Sequence, residues 1–389
     1  MRITWCIITL CFLSISCENI TDNSPEGNDN ILSNVDVGPD QESYVGSYVV
    51  FDISESSFEG KIEESNWIQG TKNPQQVKIL APSSISEKTI TYFQKEGLYS
   101  FVLMIRTNNG ETFYDSVNVT VKPRQSGLIE DIYLEARIRY RLADKAGELN
   151  SMQLQRLDSL QSASFSPGNH KVESLKGLEH CNNLLYLQLT LQSIKDVTPL
   201  ANLHNLEYLS LNQNYIIEDI SPLSNLTNLT FLSLYTNRIK DISALSNMTK
   251  LSELWLMDNP IYDISALSNL TNLEFLYASG VGIGCPAFKS LEPMSHLTKL
   301  QKLDIAGRSI TDISMLENLT NLILLNVGFN DITNIAAISK MSKLIRLYIN
   351  TSKVNDLSGI RYCQNLEYLD AMDAKIKDIS ELDICPSLV

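Results

Sequence analysis

The sequence predicts a β-rich, α+β chain: a β-sandwich, then a short helical cap, then a solenoid whose concave wall is a parallel sheet. Three observations carry that prediction. Residues 36–123 alternate short β-branched and aromatic segments with Gly, Pro and Asn turns. Beyond residue 128, Leu134, Ile138 and Leu142 recur four apart, the spacing of one helix face. From Leu184 the chain repeats itself, with a first leucine at Leu184, Leu206, Leu229, Leu251, Leu273, Leu300, Leu322, Leu344 and Leu366, at steps of 22, 23, 22, 22, 27, 22, 22 and 22 residues.

The bulk properties set limits first. At 389 residues the chain is too long for one ordinary core and fits two or three domains. A formal net charge of -14, from 45 acidic and 31 basic residues, excludes a nucleic-acid partner, because phosphate needs a basic face. It also excludes charge-driven adhesion to anionic lipid. The acidity reads as a solubility feature.

Residues 1–17 read as a targeting segment. Arg2 is the lone charge, Ile3 to Leu13 is almost wholly apolar, and Leu13-Ser14-Ile15-Ser16-Cys17 closes the run. This is too short to span a bilayer. It resembles a bacterial lipoprotein signal peptide, although Ser14 stands where that pattern prefers leucine. The resemblance implies export and lipid attachment at Cys17, and so anchoring to the cell envelope at the outer membrane or cell surface; an ordinary cleaved signal peptide is the alternative. Residues 18–35 are polar, and no Lys or Arg occurs between Cys17 and Lys61, which predicts a flexible acidic tether.

Within 36–123, Val37-Gly38-Pro39-Asp40-Gln41, the lone Trp67, Glu96-Gly97-Leu98-Tyr99-Ser100-Phe101, Asn109-Gly110 and Asp115-Ser116-Val117-Asn118-Val119-Thr120-Val121 resemble a PKD domain, an immunoglobulin-like fold. The resemblance implies a spacer with Trp67 between two sheets. Residues 124–171 are expected to form a helical cap over the open end of the solenoid. In it Ser151 would cap a second helix holding Leu154, Leu157 and Leu160, and Arg137, Arg139, Arg141 and Lys145 would lie on a solvated face.

Residues 172–389 carry the repeat L-x-x-L-x-L-x-x-N-x-I-x-D-I-S-x-L-x-N-L-T-N. The period lies in the leucine-rich-repeat range. Each L-x-x-L-x-L makes one short strand whose leucines enter a shared core, so no single unit is stable alone. Asn214, Asn237, Asn259 and Asn330 would satisfy backbone groups where the chain leaves the strand. Gln192, Val281, Arg308, Ser352 and Ala374 replace that asparagine, and those turns are expected to be held less rigidly. In Asp219-Ile220-Ser221-Pro222-Leu223, Ser221 reads as the cap of a short helical start and Pro222 as its first residue. Stretches such as Ile239-Lys240-Asp241-Ile242-Ser243-Ala244-Leu245-Ser246-Asn247 resemble the internalin type of bacterial leucine-rich repeat. That resemblance implies a curved solenoid in a family that mostly binds proteins. Gly280-Val281-Gly282-Ile283-Gly284-Cys285-Pro286, at the 27-residue step, reads as a bulge rather than a phosphate loop, for no Lys-Ser/Thr follows it. Cys181, Cys363 and Cys385 occupy apolar slots and read as core; Cys363 and Cys385, adjacent in the stack, are open to pairing. Leu388 falls where a tenth repeat would begin, so fraying, truncation and pairing with another molecule are all readings of that end.

Alternation puts the residues two, four and six after each first leucine on the solvent side of the sheet. There Tyr186, Tyr208, Phe231, Tyr235, Trp255, Phe275 and Tyr277 form an aromatic stripe, well above the chain average of 8%, and Arg346, Tyr348 and Tyr368 extend it. These ten residues are the candidate ligand-binding set, with a protein ligand expected and a carbohydrate as the alternative. Rings that only stack across strands to steady the sheet, in a structural envelope protein, are a third reading. No catalytic residue, metal ligand or cofactor is expected. His170, His180, His204 and His296 show no H-E-x-x-H spacing, no G-x-S-x-G elbow occurs, and Asp219, Asp241 and Asp263 fall one per coil.

Overall fold

The computed structural model describes residues 35–46, 48–53, 56, 60–77, 79–80, 88–124, 127–142, 149–161, 171–280 and 284–388. Cys17, Lys145 and Val281 lie outside these residues. Strands β1 (Gln41–Tyr44), β2 (Tyr48–Asp52), β3 (Ile62–Gln69), β4 (Ile79–Leu80), β5 (Lys88–Tyr92), β6 (Gly97–Thr107) and β7 (Thr112–Lys122) form two sheets, ordered β1-β7-β6-β3 and β2-β5-β4. Alternation places Tyr99, Phe101, Leu103 and Ile105 of β6 and Val117, Val119 and Val121 of β7 inward, where they meet Phe51 and Phe93 in one core. Trp67 is half-buried and stacks on Phe51 of the opposite sheet, ring centres 4.5 Å apart, filling the space expected of it.

Helix α1 (Ile132–Leu142) joins this sandwich to the solenoid. One Asp131 carboxylate oxygen caps its start, accepting from the N–H groups of Tyr133 and Leu134, while the other accepts from Glu173 on the first coil. On the sandwich side Tyr48 packs against Ala136 and Tyr140. The basic cluster departs from expectation. Arg137 and Arg139 are buried, not solvated. The buried carboxylate of Glu135 holds Arg139, with Arg124 on its other oxygen, at 2.6 and 2.8 Å, while Arg137 donates to the Tyr133 carbonyl and to Gln192. Of the described members of the cluster, Arg141 is exposed, beside Asp158.

The second helix is also shorter than expected. Asn150, not Ser151, caps α2 (Ser151–Leu154) through a reciprocal pair with Gln153. Leu160 belongs instead to β8 (Ser159–Gln161), which pairs in parallel with β9 (Tyr186–Gln188). The cap therefore supplies the first strand of the solenoid sheet. The sheet continues through β10 (Tyr208–Ser210), β11 (Phe231–Ser233), β12 (Glu253–Trp255), β13 (Phe275–Tyr277), β14 (Lys302–Asp304), β15 (Leu324–Asn326), β16 (Arg346–Tyr348) and β17 (Tyr368–Asp370). All ten strands are parallel and follow sequence order. The leucines face one continuous core running from α1 to the last coil, with Cys181, Cys363 and Cys385 buried in it as free thiols.

Two devices turn the chain out of each strand. The residue before the asparagine slot adopts a left-handed conformation in coil after coil: Leu191, Gln213, Thr236, Asp258, Phe329, Thr351 and Asp373 all have φ between 51° and 60°. The asparagine then satisfies the backbone exposed by that turn. Asn330 donates through Nδ2 to the carbonyls of Ile305, Val327 and Gly328, and its Oδ1 accepts from Arg308 and Ile310. Asp219, Asp241, Asp263, Asp312, Asp356 and Asp378 each accept from the N–H two residues on, opening a 3-10 helix. The aspartate therefore holds the first N–H of that turn from outside it; Ile220 stands at the N-cap position and Ser221 lies inside the turn.

Two irregularities in the repeat leave structural marks. The 23-residue step adds a residue at Tyr215, which is itself left-handed, and the buried Oδ1 of Asn237 in the next coil has no hydrogen-bond donor. At the 27-residue step, Arg308 corrects the expectation of a loosely held turn. Its fully buried guanidinium donates to the carbonyls of Ala278, Asn259 and Ser279 and lies over the Phe288 ring. Nε takes over the task that Nδ2 of asparagine performs elsewhere, and the longer side chain reaches one coil further. Gln192 is likewise engaged, accepting from Val172 and donating to Thr190.

Candidate aromatic binding wall

Each solenoid strand has three residues, and the central leucine is turned inward. That leaves the first and third residues outward, so the sheet carries two outward rows in strict register. Tyr186, Tyr208, Phe231, Glu253, Phe275, Lys302, Leu324, Arg346 and Tyr368 form one row. Gln188, Ser210, Ser233, Trp255, Tyr277, Asp304, Asn326, Tyr348 and Asp370 form the other. Tyr235 lies two residues past its strand.

The rings touch. Tyr186 and Tyr208 stack at 4.1 Å with planes 11° apart, and Tyr208 and Phe231 at 4.1 Å and 3°. The stripe then crosses rows: Trp255 lies 6.1 Å from both Phe231 and Tyr235 and meets Tyr277 edge-on at 5.1 Å. Each such contact stabilises by ~0.5–1.5 kcal/mol beyond area burial. These residues are half-buried. Phe275 stands apart from the ring-to-ring contacts and carries the ammonium of Lys302 at 5.1 Å from its centre. Farther along, Tyr348 and the exposed Tyr368 form a second pair at 5.2 Å, with Arg346 exposed beside them.

The wall is not outward at every alternate position. Ser210, Asn212 and Ser233 are buried. They form a polar chain in which Ser233 donates to Oδ1 of Asn212 and Nδ2 of Asn212 donates to Ser210, beside Tyr235. Small residues close to backbone are covered by the larger side chains around them, so direction alone did not reveal their burial.

Sequence reasoning also passed over Glu253. Across the five strands from β9 to β13 it is the only carboxylate or ammonium side chain in the two outward rows. Trp255 Nε1–H donates to its Oε1 at 2.7 Å. Burial raises the phenol pKa of Tyr208 and of Tyr277, and the Glu253 charge adds to both. Asp304, next to Tyr277, is also pushed up by burial, against the hydrogen bonds that stabilise its charged form. The signal that could have found Glu253 is a charge where neighbouring repeats carry rings.

Residues 204–247 and 227–269 match the family model for leucine-rich repeats in two copies. The chain is a leucine-rich-repeat solenoid. It is similar to solved structures of Listeria monocytogenes internalins. One, internalin inlF, is 26% identical, with a TM-score of 0.36 over 65% of this chain and 92% of that one. Internalin C2 is 24% identical, with a TM-score of 0.48 over 62% and 93%. The functional domain of internalin J, which includes a cysteine ladder, is 20% identical, with a TM-score of 0.50 over 67% and 64%. Of these three, the internalin J domain alone bears on the fold, and it bears on nothing beyond the fold. No curated protein sequence matches the chain. Among the described residues, no helix of this repeat protein is long and apolar enough to cross a membrane.

Proposed function

We propose that this chain is an exported, envelope-anchored binding protein that captures a protein partner on the concave wall of its leucine-rich repeats. The observation that carries the reading is the contiguous ring array from Tyr186 to Tyr277 on a sheet whose core is already filled by leucine. Rings in these positions add little to the solenoid core, and half-buried aromatics beside polar groups are the side chains from which binding hot spots are made. Tyr348, Tyr368 and Arg346 supply a second contact region. The parallel backbone holds the rings in fixed register, so little order has to be gained on binding.

In this reading Cys17 carries the lipid, residues 18–35 are a tether, and the PKD-like sandwich at 36–123 sets the repeats away from the membrane at the outer membrane or cell surface. The protein binds and does not catalyse. Metabolic labelling with an alkyne fatty acid tests the anchor: Cys17→Ser should lose the label. Trp255→Ala with Tyr277→Ala tests the wall. With the thermal transition retained, partner affinity should fall at least tenfold, and unchanged affinity would remove the basis for the reading. Stacked rings such as Tyr186, Tyr208 and Phe231 also suit sugar faces, so a glycan array run beside a protein array separates the two ligand classes.

A further inference from the structure

The outward rows of strands β9 to β13 contain one carboxyl group, and among the described residues it makes no ion pair. Glu253 is half-buried and lies between Phe231 and Phe275 on the flanking strands. Among the described residues, its one side-chain hydrogen bond comes from the Trp255 indole. Among the described residues no ion pair involves it. Lys302, the nearest basic residue in its row, stands two strands away, ~10 Å at ordinary strand spacing, and is committed to the Phe275 ring. A carboxylate held among rings with one indole bond has unused acceptor capacity.

We infer that this spot accepts a basic side chain, arginine or lysine, from the protein partner. The inference rests on the reading of the wall as a protein-binding surface and names the chemistry it selects. Three features of the molecule support it. The carboxylate would pair with the incoming charge while ring faces flank it, and a cation is attracted to both. Lys302 over Phe275 shows this wall already seating an ammonium on a ring. The chain's net charge of -14 steers a basic segment toward it. Neutral or acidic segments would leave Glu253 desolvated without a partner, which works against them.

The test is to pan a displayed library of random dodecapeptides against the full chain in detergent, discarding peptides that also bind the Trp255→Ala/Tyr277→Ala variant. Selected peptides should share one arginine or lysine next to apolar residues. Glu253→Gln, whose amide oxygen still accepts from Trp255, should weaken these peptides at least fivefold. Changing the shared basic residue to glutamine should weaken them equally, and the two changes together should add little more. Affinity that survives Glu253→Gln, or selected peptides without a shared basic residue, would overturn the inference while leaving the wall as a binding surface. Recovery of no peptide that depends on Trp255 and Tyr277 would overturn both.

Discussion

The guanidinium carbon of Arg308 lies 4.7 Å from the centre of the Phe288 ring, and this contact closes the one wide break in the repeat. Arg308 stands in an asparagine slot. It serves carbonyls on two earlier coils, where an asparagine serves one. A Cβ on Gly280 would meet its guanidinium at 2.7 Å, so the glycine is there to let the arginine in.

Arg308→Ala should accordingly be among the costliest single changes in the solenoid. It leaves the Ala278 carbonyl without its donor, takes one of the donors from each of the Asn259 and Ser279 carbonyls, and leaves a cavity, a loss of about 3–5 kcal/mol. Thermal unfolding followed by circular dichroism measures this. A variant within about 1 kcal/mol of wild type would contradict it.

The asparagine ladder should be uneven. Asn330 makes five hydrogen bonds to backbone, whereas the Oδ1 of Asn237 has no donor. Asn330→Ala should cost more than Asn237→Ala by about 1–2 kcal/mol. Equal losses in chemical denaturation would show that the 23-residue step does not weaken its neighbour.

Left-handed turns occupied by residues with a Cβ carry strain. Thr351 is the clearest case, with φ of 51°, a β-branched side chain and solvent exposure. Thr351→Gly should stabilise by about 0.5–1 kcal/mol, the relief exceeding the entropy cost of glycine. A lowered midpoint would mean that the threonine makes a compensating contact.

Acid should weaken the aspartate bonds to these turns. The Ser265 backbone N–H bond, helped by Lys289 and the Ser265 hydroxyl, lowers the Asp263 pKa to about 2. Its folded value is below the ordinary 3.8, so its contribution is present above that pH and is lost as pH falls toward 2. Asp263→Asn keeps an acceptor, as Asn334 does for Ala336, but does not titrate. The melting temperature of wild type should therefore fall more steeply than that of Asp263→Asn between about pH 4 and 2. Parallel curves would assign the acid sensitivity to other groups.

Much of this molecule was legible in the chain. The leucine phase located every strand from β9 to β17, because a period-two strand with a buried centre permits one inward direction only. It also placed Cys181, Cys363 and Cys385 in the core and the candidate rings on the opposite face. The cap was less legible. Arg137 and Arg139 look like a solvated stripe until Arg139 is seen gripping Glu135 and Arg137 reaching Tyr133 and Gln192, and Leu160 fits a helix spacing as well as a strand.

Local sequence thus determined the period, the inward leucines, and the residue types available at each outward position, because these depend on neighbours a few residues apart. Only the stacking of coils decided that Tyr208 lies flat on Phe231, that Ser233 is covered, that Asn237 lacks a donor, and that Glu253 stands alone among rings. These are distances between residues about a repeat or more apart, and they are set by how one turn of chain settles on the next.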